Sequence, residues 1–349
     1  MPGRYDVTHD ELLALLRGEP AYRAGQVWRG LHQGREPEEM TDLPLALRAR
    51  LAEKLPPGLR PAGRSVNADG DTTKWLWFLP DGARIETVSM IYPSGRVTVC
   101  VSTQAGCAMA CSFCATGQAG FQRHLTAGEV VEQVVRARRA AGIGIVGAGA
   151  RSTNIVFMGM GEPLANYGPV WAAVERLHCD IGISARHLTI STVGIVPGIR
   201  RLAGEHRPVN LAVSLHAAND ELRDELVPIN RRYPLPVLME ACAAWANAKG
   251  RRLSFEWALI DGVNDRRSDA AELARLARPL GAHVNLIPLN PTPGYPTRGT
   301  PPAGVAAFRD RLRAAGVNAT VRRNRGTDIA AACGQLAGWQ EEPGIVLAQ

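Results

Sequence analysis

The sequence predicts an α/β fold, a partial barrel of six strand–helix units around a parallel sheet, preceded by a small helical N-terminal domain. Three observations carry that expectation. From Val97 onward short apolar runs alternate with amphipathic stretches, the pattern of βαβ units. Residues that look chemical fall just after those runs, where parallel strands present their C-terminal ends. Residues 9–55, by contrast, carry their apolar side chains at helical spacing.

Taken in order, HDELLALLRG, PAYRAGQVWRGLHQ and LPLALRARLAEKL read as three helices, and PPGLRPAG at 56–63 reads as a breaker-rich linker. KWLWFL (74–79) and RIETVSMIY (84–92) read as a strand pair turned at Pro80-Asp81-Gly82. Residues 1–84 are expected to form the accessory domain, 85–338 the core with its C-terminal loop, and 339–349 a tail. The core strands are VTVCVST, NIVFMGM, HLTIST, VNLAVSLH, LSFEWALI and HVNLIPLN. Helices are expected over 126–141, 168–177, 219–227, 235–248 and 268–278. Neither an internal repeat nor a low-complexity tract interrupts them.

With 349 residues, 46% of them hydrophobic and 21% charged, the chain has material for a sizeable core, which excludes disordered, coiled-coil and collagen-like classes. Its net charge is +7, with a pI near 9.3, which makes a polyanionic partner plausible. Three lysines, Lys54, Lys74 and Lys249, leave thirty-seven of the forty basic residues as arginine. Arginine suits bidentate phosphate contacts and base stacking. The N-terminus lacks an apolar signal core, and the apolar stretch Ala140–Ala150 is too short to span a bilayer. These features place the protein in the cytoplasm, without a membrane contact.

Of seven cysteines, Cys107, Cys111 and Cys114 are packed into GCAMACSFCATG as C-x3-C-x2-C. Three thiolates on one loop can hold three irons of a cubane cluster and leave the fourth open. The other reading is zinc, with Cys100 or a distant histidine as fourth ligand. Cys179 and Cys242 read as structural residues in apolar helical contexts.

The cysteine spacing, with an aromatic before the last Cys, resembles the signature of radical S-adenosylmethionine enzymes, and GMGEP at 159–163 looks like their methionine-amine-binding segment. Four dispersed pieces narrow the likeness: Glu86 in IETV, CVSTQAGCAMACSFCATGQAGF (100–121), VSLHAANDELRDELVPIN (213–230) and RGTDIAAACGQLAG (325–338). Together they resemble the dual-specificity RNA methyltransferases, which act on carbon 2 of an adenosine in ribosomal and transfer RNA. The resemblance implies a radical-SAM-type partial (β/α)6 barrel carrying one 4Fe-4S cluster on Cys107, Cys111 and Cys114. It implies two S-adenosylmethionine molecules per turnover, bound through Gly161, Glu162, Ser191, Ser214, Leu215, His216 and Asn290.

Carbon 2 of adenine lies between two ring nitrogens and is electron-poor, so it cannot attack a methyl sulfonium as a nucleophile. The resemblance therefore implies a route in two stages. Cys333 takes a methyl group from one S-adenosylmethionine by displacement. A second is cleaved reductively, its 5′-deoxyadenosyl radical removes hydrogen from that methyl, and the carbon radical adds to the ring. Glu86 matches the proton acceptor, and Cys100 matches the cysteine that releases the product through a transient Cys100–Cys333 disulfide. The implied targets are adenine 2503 of 23S rRNA and adenine 37 of tRNAs. An external electron donor such as flavodoxin and a monomeric enzyme complete the expectation. Arg322, Arg323 and Arg325, beside Cys333, are the arginines expected at RNA, and the Cys333 loop between Gly326 and Gly334 is expected to be mobile. The alternatives are the related carbon 8 methyltransferase of the same rRNA site, which confers antibiotic resistance, and a non-catalytic, redox-sensing iron–sulfur RNA-binding protein.

Overall fold

Helix-start chemistry opens the chain: the Thr8 hydroxyl accepts the Glu11 amide while the Glu11 carboxylate accepts the Thr8 amide, a reciprocal cap for α1 (His9–Leu15). Two further helices, α2 (Tyr22–His32) and α3 (Leu45–Lys54), follow as expected. The computed structural model describes residues 3–143, 153–292, 294–322, 324–337 and 346–347. Arg323, Gly338, most of the Ala140–Ala150 stretch and most of the 339–349 tail lie outside them.

The linker expected at 56–63 is corrected: the chain enters β1 (Arg60–Val66) at Arg60. Proline is admitted there because the β1 register slips between Pro61 and Gly63, at a bulge where no ladder donor is required. β1 pairs antiparallel with β2 (Thr72–Phe78), β2 with β3 (Arg84–Ile91) and β3 with β4 (Val97–Cys100). From β4 the ladder turns parallel, through β7 (Thr153–Phe157), β8 (Leu188–Thr192), β9 (Asn210–Ser214), β10 (Ser254–Leu259), β11 (His283–Pro288) and β12 (Asn318–Val321). The result is one continuous open sheet. Between β4 and β7, β5 (Gln104–Gly106), the short helix α4 (Ala115–Gln118) and β6 (Phe121–His124) form a separate hairpin around the cysteine loop. Six of the parallel strands are those read from the sequence; β12, four residues with only one buried, adds a seventh. So short a run is invisible to periodicity and gains its place from pairing with β11.

Helices cover the outer face: α5 (Ala127–Ala140), α6 (Tyr167–Cys179), α7 (Val196–Gly204), α8 (Asp220–Leu226), α9 (Leu235–Lys249), α10 (Arg267–Ala277) and α11 (Pro302–Ala314). Strand alternation decides which residues they meet. Val99, Ile155, Leu211, Phe255, Val284 and Ala319 are fully buried in the core. Their neighbours one residue along, among them Thr98, Asn154, Asn210, Ser254 and Thr320, face the barrel interior and line a polar cavity of about 870 Å³ near the N-terminal strand ends. The interior is therefore polar at one end and chemical at the other.

Ion pairs and caps join the N-terminal helices to the barrel. Asp6 accepts the Gly128 amide at 2.8 Å and the Thr126 hydroxyl at 3.1 Å, at the start of α5. Glu132 of α5 accepts the Gly58 amide at 2.8 Å, and Arg139 pairs with Glu39 at 2.6 Å. Removing the Asp6 cap in Asp6→Ala is expected to lower stability by about 1 kcal/mol, read as a lower urea midpoint with an unchanged slope.

Candidate active site

Three loops at the C-terminal strand ends are clasped by a buried arginine that sequence reasoning passed over. Arg223 of α8, wholly inaccessible to solvent, donates from Nη2 to the carbonyl of Val193 at 2.6 Å, from Nε to Leu215 at 3.1 Å and from Nη1 to Asn230 Oδ1 at 2.7 Å. Within the acidic run DELRDEL it looks like one more solvated charge. Only the fold turns it inward, where burial depresses its pKa to about 10.

Beneath it lies a cavity lined by Cys111, Cys114, Gly161, Glu162, Ser191, Ser214, His216, Asn290 and Cys333, with Arg322 and Glu256 deeper in. The strand-end residues named from the sequence are thus brought together, except that Leu215 is fully buried in the core and does not line the cavity. Its backbone is engaged, the amide donating to Glu256 O and the carbonyl accepting from Ala217.

Each polar group is held in a defined state. The Glu162 carboxylate accepts the amides of Leu164 (2.9 Å) and Val193 (2.8 Å). Burial still pushes its carboxyl up to about 7. His216 sits at φ 60°, and the Ala258 amide donates to its Nδ1 at 2.9 Å, so the ring proton resides on Nε2. Burial, with Arg223 adding to it, depresses the His216 pKa to about 3. Gly161 has φ 99°, and a Cβ there would stand 2.5 Å from Gln104 Cβ. Gln104 in turn accepts the Glu162 amide at 2.8 Å.

The catalytic-cysteine candidate lies on a loop pinned at several points. Asn290 Nδ2 donates to Cys333 O at 3.0 Å and the Ala115 amide to Gly334 O at 2.8 Å, beside Cys114. On its far side Cys333 lines a second cavity with Cys100, Val88, Met90, Tyr92, Arg322 and Arg325. Cys100 pairs in register with Val88 of β3, which puts Cys100, Val88 and Glu86 on one face. Burial, with Cys333 nearby and Arg322 opposing, pushes the Cys100 thiol up to about 12. Glu86 accepts the Ala337 amide at 3.2 Å and lies 3.5 Å from Lys74 Nζ, a partner the sequence reading missed.

Two other readings need adjustment. Cys179 is exposed at the end of α6, with Arg207 Nη2 donating to its Sγ at 3.3 Å, because the apolar stripe of α6 ends at Leu177. Cys242 is fully buried, as expected. Several paired arginines are bound to acids, Arg139 to Glu39, Arg200 to Glu240 and Arg325 to Asp71.

A family profile described as the radical SAM superfamily matches residues 101–276. A probable dual-specificity RNA methyltransferase RlmN of Chloroflexus aurantiacus is 51% identical, over 97% of this chain and 93% of its own length. The corresponding protein of Moorella thermoacetica is 55% identical, over 93% and 94%. A radical SAM methyltransferase structure from Sphaerobacter thermophilus superposes with a TM-score of 0.92 at 50% identity, covering 97% of this chain and all of that one. The chain belongs to the dual-specificity RNA methyltransferases of the radical SAM superfamily. It is an S-adenosylmethionine-dependent radical methyltransferase acting on RNA.

The family's 4Fe-4S cluster and S-adenosylmethionine fit the residues present. Among the described residues no three His, Cys, Asp or Glu side chains converge on one ion. The cysteine loop offers separate thiols, one per iron, as a cubane needs. Burial pushes Cys107 up to about 12 and raises Cys111 as well, so metal must be what holds them as thiolates. Glu256 Oε2 is buried without a partner in the cavity wall, an acceptor suited to the hydroxyl or ammonium groups of the cofactor.

Two outcomes follow from this geometry. Gly161→Ala, which must displace Gln104 and adopt a positive φ, is expected to weaken S-adenosylmethionine binding at least tenfold with the cluster still loaded, measured by equilibrium dialysis. His216 takes up a proton near pH 6.5 when unfolded and only near pH 3 when folded. Stability therefore falls as pH drops through that interval. The decline in urea midpoint from pH 7 to 5 is expected to be shallower in His216→Gln.

Proposed function

We propose that this enzyme methylates carbon 2 of an adenine through a methylated Cys333, acting on adenine 2503 of 23S rRNA and adenine 37 of tRNAs. The observation that carries the reading is the position of Cys333 on a wall shared by two cavities. One holds the cluster cysteines and the strand-end polar groups, and the other holds Cys100. A cysteine so placed can take a methyl group on one side and deliver it on the other.

When bound, the cluster and S-adenosylmethionine supply the methyl group and the one-electron chemistry, two molecules being used per turnover. The chain's own residues do the rest. Cys333, as thiolate, forms the bond to the incoming methyl carbon. Once that carbon is bonded to the ring, Glu86 takes the proton from carbon 2. Cys100, as thiolate, then attacks the Cys333 sulfur; the sulfur–carbon bond breaks, its electron pair leaves with the carbon, and the new methyl group takes up a proton. The disulfide left behind is reduced before the next cycle. His216 with Nε2–H, Ser191 and Ser214 orient the cofactor through donors that do not titrate near neutral pH. The target base is unstacked to reach so recessed a site. The N-terminal helices, with Arg322, Arg323 and Arg325, hold the surrounding RNA, and an external donor such as flavodoxin delivers the electron. The reading has a monomer working in the cytoplasm. No helix among the described residues is long and apolar enough to cross a membrane.

The test is anaerobic reconstitution, incubation with S-adenosylmethionine, reductant and ribosomal RNA, and mass spectrometry of the digested nucleosides. Expected is 2-methyladenosine that disappears in Cys333→Ala, with a covalent protein–RNA adduct accumulating in Cys100→Ala. Formation of 8-methyladenosine would overturn the regiochemistry, and absence of any methyladenosine from loaded enzyme would overturn the substrate.

A further inference from the structure

Behind the Cys333 loop, on the wall formed by β2 and β3, lies a buried ion pair. Lys74 and Glu86 project from the same face, one register step apart across the β2–β3 ladder, with Leu76 opposite Glu86 and Lys74 opposite Val88. Nζ and Oε1 are 3.5 Å apart, and the side chains are only 3% and 5% exposed. Each partner also holds one flank of the loop. Lys74 Nζ donates to Ala330 O at 3.4 Å, three residues before Cys333, and Glu86 Oε2 accepts the Ala337 amide at 3.2 Å, four residues after it. Ala330 is gripped in a positive-φ conformation, at 47°, that alanine adopts only under constraint. Lysine is itself a departure here, since the chain uses arginine at thirty-seven of its forty basic positions. A compact ammonium fits between a carboxylate and a carbonyl where a planar fork would not.

We propose that Lys74 is the positioning residue for Glu86, and that the pair is a latch which frees the Cys333 loop when Glu86 takes up the ring proton. The inference rests on the reading of Glu86 as proton acceptor. A counter-cation at 3.5 Å keeps the carboxylate ionised in a wall that excludes water, and so able to accept a proton. Proton arrival reverses that balance. The Lys74 charge is left buried without a counter-charge. The Ala337 bond, charge-assisted while Glu86 is ionised, drops to that of a neutral acceptor. Both flanks of the loop loosen at once and the strain at Ala330 is released. Cys333 then becomes accessible to Cys100 only after the ring proton has gone. The latch thus orders two steps that would otherwise compete, because attack by Cys100 before proton loss would break the adduct unproductively.

Reconstituted full-length protein bearing Lys74→Met, Lys74→Arg or Glu86→Gln tests the proposal, with cluster content and circular dichroism confirming folding. In Lys74→Met, methylation of Cys333, read by intact mass, is expected to persist while methyladenosine turnover falls about tenfold and covalent protein–RNA adduct builds up. The acid limb of its pH–rate profile should move up by about one unit, the effect of removing a cation beside a general base. Lys74→Arg should restore part of both. Hydrogen exchange across residues 326–337 should accelerate in Lys74→Met and in Glu86→Gln. A pH profile superimposable on that of the unsubstituted enzyme, without adduct, overturns the proposal even if turnover is reduced. If the unsubstituted enzyme forms no methyladenosine, the function reading itself falls. The latch is then decided by hydrogen exchange: unchanged rates in both variants overturn it, and acceleration in both supports it.

Discussion

The hydrogen bond from the Ala115 amide to the Gly334 carbonyl, 2.8 Å, is the contact on which the site's arrangement depends. Ala115 follows Cys114 directly and begins α4, so its amide is one of the unpaired donors at a helix start. Satisfying it with the carbonyl next to Cys333 ties the cluster loop to a segment more than two hundred residues downstream. The Asn290 bond to Cys333 O closes the third side, from the end of β11. Loop, cluster ligands and strand ends are positioned together or not at all.

Around that junction the interior is kept polar without being kept wet. Glu162 is neutralised by backbone amides, His216 by a fixed tautomer, Arg223 by carbonyls and Glu86 by Lys74. Each arrangement settles one buried polar group locally, as low dielectric demands. Glu256, with one oxygen unpartnered, is the exception, and it lies where the family's cofactor belongs. The polar lining that reaches the N-terminal strand ends follows from the same strand alternation that fills the core on the opposite face.

Much of this was legible from residues alone. The five helices expected in the core and the six parallel strands are present, because each carries enough apolar periodicity to be read locally. The cysteine triplet, GMGEP and the SLH segment are contiguous, so their chemistry travels with their spacing. What escaped was short or context-dependent. β1 hid behind two prolines near a bulge, and β12 is half exposed. Helices α7 and α11 begin with prolines that read as breakers but occupy the first turn, where no amide is needed. Cys179 looked buried because its helix is apolar, yet it falls one turn-step beyond the stripe.

By itself, the sequence determined the fold class, the family, the cluster ligands and the identity of Cys333, Cys100 and Glu86 as candidates, since those rest on local pattern and on motifs kept in order. It could not say which side chains would meet. Arg223 as the clasp of three loops, Arg322 beside both thiols, Lys74 against Glu86, and Cys333 between two cavities all join residues distant in the chain or on different strands. Those pairings were decided by sheet register and by the need to neutralise each charge once water had been excluded, and neither constraint acts until the tertiary structure has closed.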